Sequence, residues 1–175
     1  MAKTTITSDD LLYLIPFDLN SDDAFYCNQF LEMFINIGEG DKFFNRIKTD
    51  YLHITLQNCY AKVDRFLRLI KPSMDENPEV AKIFLSCLYW RLLGLGTKIL
   101  VIYDETNLLD KKLSQGEIDE LILKHSVVVK TLNQMKYDKY IPAEVKTSLI
   151  QAIETFSLLD DKLKRKNQSF FNRFF

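Results

Sequence analysis

Leu85, Leu88, Leu92, Leu95, Ile99 and Ile102 recur at alternating steps of three and four residues, and a second row, Tyr89, Leu93, Gly96, Leu100 and Tyr103, keeps the same phase. Both rows run through Gly94 and Gly96 without slipping. A strand presents alternate residues to one face, so a strand beginning near Lys98 would have no reason to stay in register with a preceding helix. The rows therefore predict one helix from about Pro78 to Tyr103, apolar on most sides and hence central. Two glycines and its β-branched residues cost it about 1–2 kcal/mol of helix propensity. Burying a single large apolar side chain contributes roughly 1.5–3 kcal/mol, so packing wins. The glycines are expected at a close crossing with a neighbouring helix.

That phase removes other readings of LLGLGTKILVIYDE, residues 92–105. Taken alone the stretch could be a buried strand with Asp104 and Glu105 at its end. A phosphate loop needs GxxxxGK[ST], because backbone N–H groups at that spacing cradle the phosphates, and GLGTK lacks it. No GxGxxG occurs either. A membrane span is disfavoured by Lys82, Arg91 and Lys98, each costing about 2.5–3.5 kcal/mol near a bilayer centre.

The remaining segments also carry helical periodicity. Ser8-Asp9-Asp10 caps a short turn that Pro16 stops. Ser21 is the expected cap of a helix through Tyr26, Phe30, Met33 and Ile37, with Gly38 at its end. Leu52, Leu56, Cys59, Val63, Phe66 and Ile70 form one stripe on a predicted helix from Asp41 to Lys71, roughly 45 Å long at 1.5 Å per residue and ended by Pro72. Asn77-Pro78-Glu79 starts the central helix. Ser114 and Glu117 make a capping box for a helix bearing Ile118, Leu121, His125, Val128, Leu132 and Met135. Pro142 and Glu144 open the last, with Val145, Leu149, Ala152, Phe156, Leu159 and Leu163 on one face. No alternation long enough for a sheet appears. The expected fold is all-α: an up-and-down antiparallel bundle of four long helices plus one or two shorter N-terminal helices, its loops too short for other neighbours. Residues 1–20 form an arm with a short helix, 21–167 the bundle, and 168–175 an aromatic-basic tail.

The chain has 175 residues and a formal net charge of -1, which suits one domain and supplies no global field for nucleic acid or anionic lipid. The start, MAKTTITSDD, has no apolar core of a secretion signal. Cys27, Cys59 and Cys87 stand singly in apolar stretches, as reduced thiols in a cytoplasmic protein would.

Motifs for chemistry are sparse. With two histidines and no HExxH, ExxH or Cys/His pair, neither a metal site nor a cofactor is expected. His125 lies in an apolar stripe and is expected to be buried against a neighbour. Arg46 and His53 are seven residues apart, about two helical turns. This Arg-x6-His spacing resembles the catalytic motif of the HEPN ribonuclease superfamily, whose members are also helical bundles. The resemblance covers only these residues, and the family usually places a polar residue after the Arg, where Ile47 stands. It implies His53 as general acid/base and Arg46 steadying a phosphate.

The tail sets Arg165, Lys166 and Arg173 beside Phe170, Phe171, Phe174 and Phe175. It reads first as a lid docked back onto the bundle, and as functional alternatives an anchor for a partner's groove, through Phe170, Phe171, Phe174, Phe175, Arg165 and Lys166, or a weak membrane foot. The expected function is a non-enzymatic cytoplasmic protein–protein interaction module, a subunit, adaptor, inhibitor or immunity-type binder whose partner is another protein. Self-association is compatible with this reading. The alternatives are a metal-independent ribonuclease of HEPN type and a bundle holding an apolar small ligand.

Overall fold

The computed structural model describes residues 11, 13–38, 51–105 and 113–174, with 99–105, 167 and 170–174 described by backbone alone. Five helices carry them: α1 (Ser21–Gly38), α2 (Leu52–Glu76), α3 (Pro78–Glu105), α4 (Gln115–Met135) and α5 (Ala143–Phe174). Among the described residues there is no strand. Helices α2 to α5 form an up-and-down bundle, and α1 lies against α2 and α3.

The direction of each helix follows from side chains that meet. Gly96 of α3 sits beside Leu56 of α2 and Leu132 of α4. One level along, Tyr60 of α2 and Tyr89 of α3 both reach Asp138, just past α4. From one level to the next α2 and α4 thus advance in sequence while α3 runs back. On α1, Phe30 stacks on Phe66 with ring centroids 4.1 Å apart, and Phe34 meets Phe84 at 5.4 Å. Asp23 pairs with Arg65 at 3.0 Å, and the Tyr26 hydroxyl donates to the Lys62 carbonyl.

The predicted stripes are the core. Leu52, Leu56, Cys59, Val63, Phe66 and Ile70 are all buried, as are Leu88, Leu92, Leu95, Tyr89 and Leu93 on α3. Val145, Leu149, Ala152, Phe156 and Leu163 line the inner face of α5. Leu11 and Leu14 tuck the N-terminal arm into the same core through one turn, closed by a 3.1 Å bond from the Leu14 amide to the Leu11 carbonyl. Between Phe30, Met33, Phe34, Cys59, Leu88 and Leu92 there is no room even for a water molecule. The segment Pro78–Lys98 has the length and apolar composition of a membrane-crossing helix. Here Phe84, Leu88, Leu92 and Leu95 direct it into the bundle core.

Two helix ends differ from the sequence reading. Pro72 does not end α2, which continues to Glu76. Proline removes one N–H, the partner of the Arg68 carbonyl, but Ser73 and Met74 are buried and hold the last turn in place. The predicted start at Asp41 and the segment 41–50 lie outside the described residues. The cap of α1 is Asn20 rather than Ser21: its Oδ1 accepts from the Asp23 amide at 2.9 Å, and its Nδ2 donates to the Asp23 carboxylate at 3.1 Å. The Asn side chain reaches the third amide and Asp23 returns the contact, so the pair closes both ways. Pro142 stands just before α5, its carbonyl accepting from the Lys146 amide. The Ser114–Glu117 box forms as the sequence predicts.

The two glycines of α3 separate physically. A Cβ on Gly96 would lie 3.2 Å from Leu132 Cδ2 and 3.6 Å from Leu56 Cδ2, so the close crossing is there. A Cβ on Gly94 would meet nothing within 4 Å, because Gly94 faces outward. Gly94→Ala is therefore expected to raise the unfolding free energy by about 0.5–1 kcal/mol, the usual gain of Ala over Gly in a helix. Gly96→Leu is expected to lower it by about 1–3 kcal/mol through overpacking. Urea unfolding of the two variants checks this, and equal effects at both positions would contradict the assigned crossing.

Candidate functional site: an exposed apolar face on α3

Two polar features and one apolar face stand out from the packed core. The first is Asp138, in the turn between α4 and α5. Its Oδ1 accepts from the Tyr60 hydroxyl at 2.6 Å and its Oδ2 from the Tyr89 hydroxyl at 2.7 Å. Burial raises both phenol pKa values well above the ordinary range, and the bonds to Asp138 raise them further. Both phenols therefore remain donors, and the carboxylate fastens the α4–α5 turn to α2 and α3. Beside it runs a groove of about 520 Å³ lined by Tyr60, Leu67, Arg68, Lys71, Lys139 and Tyr140 among others. Its charges are largely satisfied in place: Arg68 pairs with Asp64 at 3.1 Å and Lys71 with Asp75 at 2.6 Å. The clamp works as a fastener between α2, α3 and the α4–α5 turn.

The second is His125, 1 % exposed on the inner face of α4. Its ring lies 5.2 Å from that of Phe156, and Nδ1 is 3.6 Å from Asp160, which also holds Lys164. Nε2 is buried without a hydrogen-bond partner. Burial pushes the His125 pKa down. Asp160 and the Phe156 carbonyl oppose that shift, and Lys164 reinforces it. The residue is a core histidine kept neutral, as the apolar stripe predicts.

The third is the outer face of α3. Ile83, Cys87, Trp90 and Gly94 follow steps of four, three and four, which places them on one side of a helix. Trp90 is 42 % and Ile83 37 % exposed, Cys87 is half-buried, and Gly94 is open. The stripe covers about three turns. Lys82 flanks it on one side, and Arg91 and Lys98 on the other. Arg91 donates to the Phe34 carbonyl at 3.0 Å and lies over the Phe34 ring, and desolvation lowers its pKa. No Asp or Glu occurs between Glu79 and Asp104. Glu144 of α5 approaches the stripe through Ser86, whose hydroxyl lies 3.4 Å from it.

The residues singled out by sequence fall elsewhere. His53 is half-buried in the first turn of α2, while Arg46 lies outside the described residues, so their pairing has no described geometry. Helix α5 continues unbroken through the aromatic-basic segment to Phe174. Arg165 is exposed and Lys166 half-exposed on it. The side chains of Phe170, Phe171 and Phe174, and all of Phe175, lie outside the described residues, as do the side chains of Asp104 and Glu105. Cys27 and Cys59 are buried free thiols, with burial pushing Cys59 up to about 11. Among the described residues no three of His, Cys, Asp and Glu gather as a metal-ligand set. The α3 face did have a sequence signal, the only tryptophan of the chain on a helix whose middle carries cations and no acid.

Two outcomes follow from the polar features. Asp138→Ala is expected to cost about 1–3 kcal/mol, because it leaves the buried Tyr89 hydroxyl without an acceptor. Adding Tyr89→Phe to that variant should recover part of the loss, although Tyr89→Phe alone is destabilising. A double-mutant cycle by urea unfolding measures this, and strictly additive losses would contradict the clamp. For His125, the depressed folded-state pKa means the unfolded chain takes up the proton first. Its contribution to stability is full above the unfolded value of about 6.5 and is lost as pH falls below it. The melting temperature should therefore drop between pH 7 and pH 5.5 (roughly the window above carboxylate titration). His125→Leu should flatten that slope.

Comparison with protein-family models, with curated proteins and with solved structures gave no match for this chain.

Proposed function

We propose that this chain is a non-enzymatic protein–protein interaction module of the cytoplasm, a rigid bundle that presents the outer face of α3 to another protein. The observation that carries the reading is Trp90, partly exposed in line with Ile83, Cys87 and Gly94. Single exposed apolar residues are ordinary on any surface, but an aligned row centred on tryptophan is the composition of an interface hot spot. The three free cysteines fit a reducing compartment. The helix bearing the face is held from behind by Phe84, Leu88 and Leu92, so it meets a partner with little ordering cost.

The test is site-specific photo-cross-linking in the native host. A photoreactive residue at position 83 should yield a discrete protein adduct, whereas one at Gln151, on an exposed position of α5, should not. Trp90→Ser should abolish the adduct and leave the melting temperature nearly unchanged. Absence of any adduct at position 83 would remove the reading.

A further inference from the structure

We draw no further inference here: the strongest candidate, the exposed apolar row of Ile83, Cys87, Trp90 and Gly94 on the outer face of α3, carries nothing beyond the interaction reading, because nothing in the structure shows what covers it.

Discussion

At Gly96 the side chains of Leu132 and Leu56 occupy the space around the place a Cβ would take, 3.2 and 3.6 Å from it. That approach lets a helix from the middle of the chain pack against each of the other four. A larger residue at this level would hold α3 off α2 and α4 and open space along the core rows of Leu88, Leu92 and Leu95. Interiors pack near crystal density, so such space is costly, and the glycine's loss of helix propensity is small by comparison. The fastener at Asp138 acts one level along the same three helices. Tyr60, Tyr89 and Asp138 meet where α2, α3 and the end of α4 lie side by side, near the Gly96 crossing. Packing and polar pairing therefore support one another at one end of the bundle.

Farther along α4 the balance differs. His125 is as buried as the leucines around it, yet Nε2 has no hydrogen-bond partner, while Asp160, 3.6 Å from Nδ1, and the Phe156 carbonyl face the ring. An unpaired buried nitrogen lowers stability even in a neutral ring. The compensation is its contact with Phe156 and the apolar surface it covers. Hence α4 is tied by charge-assisted hydrogen bonds beyond its C-terminal end and by packing in its first half.

Periodicity carried most of the architecture. The rows on α2, α3, α4 and α5 are legible because a helix buried on one side must repeat apolar residues every three or four positions, and most of the predicted row positions whose side chains are described lie inside. Helix ends were less legible. Pro72 is tolerated because burial of Ser73 and Met74 outweighs one missing hydrogen bond, and no local pattern announces that burial. The cap falls on Asn20 because Asp23 is there to answer it, although Ser21 has equal propensity. Asp138 could not be read at all, since its partners stand 78 and 49 positions away. The α3 face was half visible: the cations and the tryptophan are plain in the sequence, but which side of an almost wholly apolar helix remains outside depends on where α1 and α5 lie.

That last dependence bears on function. Helix α3 has more apolar surface than four neighbours cover, and the excess is not scattered. Phe84 and Arg91 point to α1, where Arg91 bonds the Phe34 carbonyl. Tyr89 and Gly96 point to α2 and α4. Ser86 points to α5. The sector left between α1 and α5 holds Ile83, Cys87, Trp90 and Gly94, none of them fully buried. A large, rigid ring that loses little entropy on contact is suited to binding.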